Sequence, residues 1–574
     1  MKPTRTPYTS EEFTDLRDMI NKSVAKYADN NAFIVKKKEG KEVSYRNITY
    51  REFKENIDEL GTALIDMGYK DKRIAVISKN RYEWQVGYFA TINGTGVTVP
   101  LDKMLTEEEI AGLLERSRAE VIIFEKEHAE VMDRIRSNGR NHLKEFICMD
   151  SDTDAKFGYT SLESLLEKGR KLITGGDKRF IDAEIDADAV TAICFTSGTT
   201  SMSKGAMLTH KNYASNVYAA RLAIKATETD ITMAFLPFHH TFGCTGQMVL
   251  MSYGAKTAFC DGIKYIQANL KEYKVSVFYC VPLLLEAIYK KIMAAVEKKG
   301  KTRLINKMKK LCNFLLIFKI DIRRKVFKQI LNELGGDLRL VISGAAPIDK
   351  NVVEGYDAFG ILAVQGYGLT ETAPVLACEN ISARRFGSCG FPLANVEIKI
   401  DNPNEEGIGE IIATGPNIMV GYYENQEATD EVIKDGWFYT GDLGRIDEDG
   451  FLYITGRKKN VIVLKNGKNI YPEELEALVG ALPYVKENMV YGKEKGDDLL
   501  ISAKVVYDEE YTSENFPGKT EEELKEMIWA DIKKINQEVP LYKRIKHLVV
   551  TDQEMVKTTT RKVKRFEEIK KEEA

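Results

Sequence analysis

The residues with the most chemistry in one place run from Ile193 to Gly205, I-C-F-T-S-G-T-T-S-M-S-K-G. An apolar run, Val190 to Phe195, stops abruptly at small hydroxyl and glycine residues and then at Lys204 and Gly205. This pattern predicts a buried strand feeding a flexible loop rich in hydrogen-bond donors. A polyphosphate needs that composition. Gly198 lets the backbone approach oxygen closely, and Thr196, Ser197, Thr199 and Thr200 surround negative charge with hydroxyls that Lys204 complements. The spacing differs from G-x-x-x-x-G-K-[ST], where Lys follows a Gly at a helix start, because Lys204 precedes Gly205.

Further along, Leu236 to Gly243 reads L-P-F-H-H-T-F-G, but no third Cys, His or acidic residue stands at a spacing that would complete a metal site. Leu338 to Pro347, L-R-L-V-I-S-G-A-A-P, reads as a strand ending in a glycine turn whose bare backbone admits a flat ring. Ile361 to Val364 reads as another strand, leading into Q-G-Y-G-L-T-E-T, Gln365 to Thr372. Strand-to-loop switches of this kind, close to a phosphate loop, build a nucleotide crevice at the carboxyl ends of strands. W-F-Y-T-G-D-L-G, Trp437 to Gly444, is read as presenting Asp442 on a turn, where a carboxylate accepts from both ribose hydroxyls.

T-S-G-T-T followed by K-G resembles the phosphate loop of the adenylate-forming superfamily, with Ser201 and Ser203 where relatives carry Gly and Pro. Six motifs occur in the family's order from about Ser44 to Arg565, and together they look most similar to long-chain fatty acyl-CoA synthetases. The resemblance implies ATP, Mg2+ and coenzyme A as cofactors and a carboxylic acid, most similar to a fatty acid, as substrate. It assigns Thr196, Ser197, Gly198, Thr199, Thr200 and Lys204 to phosphate, Gly344, Ala345, Tyr367, Gly368 and Thr370 to the nucleotide, and Glu371 to Mg2+, since that ion commonly takes one carboxylate plus phosphate oxygens. Asp442 and Arg457 match the ribose contacts. His240, aligned through Pro237 and Gly243, matches a substrate-positioning residue, and His239 is left out. Lys459 falls at the hinge and Gly467 beside the pantetheine tunnel. The catalytic lysine matches Lys562 in V-K-T-T-T-R-K-V-K-R, where Val556 and Arg561 replace the usual Pro and Gly, so Lys557 and Lys564 stay open as substitutes.

The elements that must position these residues alternate strand and helix. Phe13 to Tyr27 has helical spacing, Thr49 and Glu52 form a capping-box pattern before a helix stopping at Gly68, and Ile74 to Ser78, Trp84 to Ile92 and Val97 to Leu101 read as strand, helix and strand. Beyond Lys459, a turn at Asn466-Gly467 and a Pro472-led helix fit a small α/β module. The expected fold is therefore α/β: a large N-terminal adenylate-forming domain, 1–456, of layered sheets and helices, with a small mobile α+β domain, 457–574, carrying the catalytic lysine.

At 574 residues the chain exceeds what one core sustains, and its net charge of -3 excludes a nucleic-acid binder driven by bulk electrostatics. The eight cysteines form no C-x-x-C pair, which points to a reducing, cytoplasmic setting. No window reaches the length of a spanning helix. Between Lys290 and Lys328, fourteen Lys or Arg face only Glu297 and Asp321, with L-C-N-F-L-L-I-F inside. Two readings stand: a solvated helical hairpin packed on the body, or a basic amphipathic surface in peripheral contact with an anionic membrane. Alternatives to CoA ligation are an acyl-AMP ligase loading a carrier protein, an amino-acid-activating adenylation domain and a noncatalytic nucleotide-binding scaffold. Acyl chain length and oligomeric state are left open.

Overall fold

Apolar runs too short for helices become the central strands, and the amphipathic stretches between them become the covering helices. The computed structural model describes residues 4–40, 42–139, 141–150, 157–196, 203–464, 468–495, 498–557 and 563–573. They form two compact units, the larger holding residues up to Thr196, Ser203–Ile398 and Ala413–Phe438, the smaller Lys399–Ile412 and Tyr439 onward. The architecture is mixed α/β, as the alternation predicts.

The larger unit contains two sheets. One runs in the order Phe391–Pro392, Val375–Cys378, Leu362–Gly368, Leu340–Ser343, Val277–Cys280, Ile231–Ala234, Lys256–Phe259, Asn31–Glu39 and Glu42–Thr49. Its middle six strands are parallel, with antiparallel strands at both edges. The other runs Gly421–Tyr422, Lys204–Thr209, Val190–Thr196, Gly96–Leu101, Lys72–Ile77, Val121–Phe124, Glu145–Cys148 and Thr160–Ser161. Val190–Thr196 and Lys204–Thr209 are antiparallel, which sets Thr196 and Lys204, on either side of the phosphate-loop motif, opposite each other.

Helix Tyr82–Ala90 is buried at every residue but Glu83, which fits a helix with sheet on both sides. Gly87 lies against Ile123 of one sheet, while the Tyr82 ring meets Phe33 of the other, centroids 5.3 Å apart. The expected helix Trp84 to Ile92 ends earlier as an α-helix and relaxes into a π-turn, Thr91–Thr95, where Gly94 takes φ +130°. The first helix begins at Leu16 rather than Phe13, because the Asp15 carboxylate accepts from Asp18 N at 2.8 Å and sets the cap there. Only half of the expected capping box forms at Thr49. Its hydroxyl accepts from Glu52 N at 3.1 Å, but the Glu52 carboxylate pairs with Arg46 on the neighbouring strand instead of returning to the cap.

In the smaller unit, the part of strand Trp437–Ile446 from Asp442 onward pairs antiparallel with Leu452–Arg457. A three-stranded sheet follows: Val485–Lys495 antiparallel to Asp498–Tyr507, and His547–Thr551 parallel to the latter. Helices Pro472–Gly480 and Glu521–Glu538 bury Leu475, Val479, Ile528 and Ile532 against Val490 and Val505. No helix among the described residues is long and apolar enough to cross a membrane.

Candidate active site

The loops flagged in the sequence leave the parallel strands of the larger unit at their carboxyl ends. Leu340–Ser343 leads to Gly344, which is buried, and to Ala345, which adopts a left-handed φ of +71°. A Cβ on Gly344 would come within 3.1 Å of the Phe242 ring, so the turn brings bare backbone up to an aromatic wall. The parallel neighbour Leu362–Gly368 carries Tyr367, 7% exposed, and ends at Gly368. There a Cβ would stand 1.8 Å from Pro374 O, so only glycine fits the doubling-back that presents Thr370 and Glu371. These two sit on the 3-10 turn Thr370–Thr372.

That turn is held from outside. Asn417 donates from Nδ2 to Thr372 O at 2.8 Å, and Met419 N donates to Glu371 O at 2.8 Å. The same segment continues as strand Gly421–Tyr422, which pairs with Met207 and Ala206 of the lysine strand. Tyr422 consequently lies between the two charged residues. Its hydroxyl donates to Glu371 Oε1 at 2.8 Å, and the Lys204 ammonium stands 5.0 Å from its ring centroid. One side chain thus orients a carboxylate through a charge-assisted hydrogen bond and a cation through its ring face. At the hairpin mouth Thr196 is paired in register with Lys204 and donates from Oγ1 to Lys204 O at 3.2 Å. Ser197, Gly198, Thr199 and Thr200 lie outside the described residues.

The histidine segment follows strand Ile231–Ala234. His240 caps helix Thr241–Met251, its own N–H donating to Pro237 O at 3.1 Å. Its ring centroid is 5.2 Å from that of His239. His239, left out of the sequence reading, has Nε2 3.3 Å from Oδ2 of Asp102, the residue after strand Gly96–Leu101. Asp102 Oδ1 also accepts from Met104 N at 2.9 Å, so a carboxylate and an imidazole are fixed beside the motif histidine. Beneath the nucleotide strand Glu379, 1% exposed, accepts from Gln365 N at 3.1 Å and Arg385 N at 3.0 Å. Burial pushes its carboxyl up to about 7, against the pull of the Arg384 guanidinium.

In the smaller unit Asp442 is not on an exposed turn, as its sequence suggested, but inside strand Trp437–Ile446 and 6% exposed. The T-G-D signal misleads because Gly441 takes a left-handed φ of +69° within the strand, its N–H satisfied by Glu410 Oε1 at 3.1 Å. Asp442 stands opposite Arg457 in the ladder, with Oδ1 2.6 Å from Nε. The two predicted ribose residues are therefore one ion pair. Lys459 is exposed in the turn Lys458–Asn460. Gly467 and Lys562 lie outside the described residues. Of the two substitutes for Lys562, Lys557 is ion-paired to Glu487 and, at 2.9 Å, to Glu554, and Lys564 pairs with Glu567 at 3.0 Å.

Among the described residues no three His, Cys, Asp or Glu side chains converge to cage a metal. A lone carboxylate such as Glu371, fixed by Tyr422, suits Mg2+ arriving on phosphate oxygens and does not suit a resident protein-bound ion. A space of about 550 Å³ lined by Ile231, Ser276, Arg339 and Leu362 lies instead at the amino ends of the strands. Strand polarity is the better guide.

Comparison with known proteins shows the family and the fold. The AMP-binding enzyme profile matches residues 20–423, and the AMP-binding enzyme C-terminal domain profile matches 459–572. A Mus musculus protein named long-chain-fatty-acid–CoA ligase 5 is 31% identical over 91% of this chain and 82% of its own length. Fatty acyl-CoA synthetase B of Dictyostelium discoideum is 29% identical over 90% of this chain and 80% of its own. Among solved structures, the anthranilate CoA ligase AuaEII in complex with anthranoyl-AMP superposes with a TM-score of 0.77 at 19% identity, covering 98% of this chain and 97% of that one. ATP-bound MatB from Rhodopseudomonas palustris gives 0.73 at 24%, covering 97% and 99%.

Proposed function

The chain belongs to the AMP-binding enzyme family, and we propose that it is an ATP-dependent acyl-CoA synthetase, activating a long-chain fatty acid as its acyl-adenylate with release of pyrophosphate and then passing the acyl group to CoA. The observation that carries this reading is the Lys204–Tyr422–Glu371 cluster, in which one tyrosine holds a carboxylate and faces a cation. The long-chain preference rests on the names of the relatives.

Attack of a carboxylate on the α-phosphorus of ATP brings two anions together, and positioning plus charge compensation lower that barrier. Lys204, with the hydroxyls of Thr196, Ser197, Thr199 and Thr200, holds polyphosphate oxygens. Glu371 receives Mg2+, which when bound offsets charge on the departing pyrophosphate. Gly344, Ala345, Tyr367 and Gly368 form the adenine surface, Thr370 meets phosphate, and Asp442, ion-paired to Arg457, accepts from ribose hydroxyls. Lys562 bridges the carboxylate and the α-phosphate. The ion pairs of Lys557 and Lys564 support this assignment, since both alternatives are already engaged. His240 positions the acyl carbonyl for the thiol and Gly467 borders the pantetheine path. We place the domain boundary at 456/457 with Lys459 as hinge; the second family profile begins at 459, whereas the compact units part earlier, between Phe438 and Tyr439. On this reading the protein works in the cytoplasm, peripheral to the inner face of the membrane that holds its acid.

The test is pyrophosphate release with ATP and Mg2+ across carboxylates from acetate to oleate, aromatic acids and amino acids, with and without CoA. Release that rises with long-chain acids and yields acyl-CoA is expected. Acyl transfer only to a carrier protein would make the chain an acyl-AMP ligase, and ATP binding with no release on any acid would make it a scaffold.

A further inference from the structure

The basic segment runs from helix Pro282–Lys298 through helix Thr302–Ile317 to the short helices Arg323–Val326 and Lys328–Glu333, and Thr302–Ile317 has two unlike apolar faces. One is packed on the body. Ile305 and Cys312 are buried, and Lys309, which shares their phase, turns inward with its ammonium 4.7 Å from the Phe359 ring centroid and 3.3 Å from the Tyr289 hydroxyl. The other faces outward: Leu304, Leu311, Phe314 and Phe318, at i, i+7, i+10 and i+14, are 53%, 53%, 56% and 61% exposed. Phe314 and Phe318 meet edge to face with centroids 5.3 Å apart, and Ile317 and Ile320 extend the patch at 74% and 50%.

Single exposed apolar residues are ordinary, but six between Leu304 and Ile320, two of them in ring contact, mark a contact surface. The chemistry around them names the partner. Arg303, Lys307 and Lys310 are exposed on the same helix, which carries no acidic residue, and nearby Asp321 is occupied by Arg323 at 2.8 Å. A second copy would oppose one cationic helix to another, which like-charge repulsion disfavours. An anionic bilayer answers both features at once, since its headgroups take the Lys and Arg ends while their stems and the Leu and Phe side chains enter the acyl boundary.

We propose that the outward face of Thr302–Ile317, with Phe318 and Ile320, docks the enzyme on anionic phospholipid membrane. This deepens the fatty-acid reading above by saying where the acid is collected, but vesicle binding is measured without turnover, so either idea fails independently of the other. The decisive experiment is co-sedimentation of the full chain with vesicles of phosphatidylcholine alone and of an equal mixture with phosphatidylglycerol. Binding to the mixture only, weakening as salt rises, is expected. Lys307→Gln with Lys310→Gln should weaken it about thirtyfold, at ~1 kcal/mol for each charge near the surface. Leu311→Ser with Phe314→Ser and Phe318→Ser should abolish it, whereas Lys309→Gln, whose ammonium faces protein, should leave it intact. The surface variants should keep the wild-type melting temperature, Lys309→Gln should lower it, and all should keep the wild-type rate with a water-soluble short-chain acid. Equal binding to both vesicle types, full binding by the triple serine variant, or loss on Lys309→Gln equal to that of the Lys307 and Lys310 pair would overturn the proposal. So would a concentration-dependent dimer that the serine variant dissolves, since the patch would then be a self-association surface.

Discussion

Replacing Tyr422 by Phe removes one oxygen from the site and nothing else. The ring keeps its place beside the Lys204 ammonium at 5.0 Å, but the donor that holds Glu371 Oε1 at 2.8 Å is gone. A hydrogen bond to a charged group contributes about 1.5–3 kcal/mol. If Glu371 must sit in one orientation to receive Mg2+ as pyrophosphate departs, losing that bond should lower kcat/KM for adenylation by about ten- to a hundredfold. The defect should shift the Mg2+ concentration giving half-maximal rate upward, and saturating Mg2+ should recover part of the loss. Tyr422→Leu, which also removes the ring face from Lys204, should cost roughly a further 0.5–2 kcal/mol and raise KM for ATP. Pyrophosphate release measured across a Mg2+ titration for wild type and both variants checks this. A Tyr422→Phe enzyme with wild-type rate and unchanged Mg2+ dependence would refute the view that the hydroxyl orients the metal-binding carboxylate.

Gly368→Ala should be poorly folded or inactive, because its Cβ would stand 1.8 Å from the Pro374 carbonyl oxygen and neither backbone segment gives way cheaply; thermal melting reads this directly, and a wild-type melt would contradict it. Glu379, with its carboxyl raised to about 7 from an ordinary 4.5, binds its proton more tightly when folded, so its contribution to stability is complete below the unfolded value and is lost as pH rises through 7. The change across that window amounts to at most about 3 kcal/mol, and Glu379→Gln should flatten the pH dependence of the urea midpoint there. Lys562→Ala should abolish pyrophosphate release yet still convert supplied acyl-adenylate and CoA to thioester. Lys557→Ala, which breaks the pairs with Glu487 and Glu554, should instead lower stability while both half-reactions persist. Equal loss of both halves in Lys562→Ala would remove it from the adenylation role.

What the sequence discloses depends on how locally each feature is encoded. Strands Val190–Thr196 and Leu340–Ser343 were legible because each is an apolar run that breaks at glycine or hydroxyl residues, whereas Leu362–Gly368 was legible only to Val364, since pairing with Val375–Cys378 carries the strand on through Q-G-Y-G. Asp442 was misread for the same reason. T-G-D carries turn chemistry locally, but Leu452–Arg457 offers a partner strand and Glu410 satisfies the Gly441 N–H, so long-range pairing overrides it. Tyr422 and Asp102 left no trace, since their partners Glu371, Lys204 and His239 stand far away in the chain and only strand order brings them together. Lys309 is the instructive case. It sits in a run of cations that composition treats as equivalent, yet Ile305, Lys309 and Cys312 fall at i, i+4 and i+7, the spacing of one helix face. Periodicity thus separates the lysine that braces the helix from Lys307 and Lys310, which a charge count cannot do. The membrane proposal rests on that phase, and the contrast between Lys309→Gln and the Lys307 and Lys310 pair tests the phase itself.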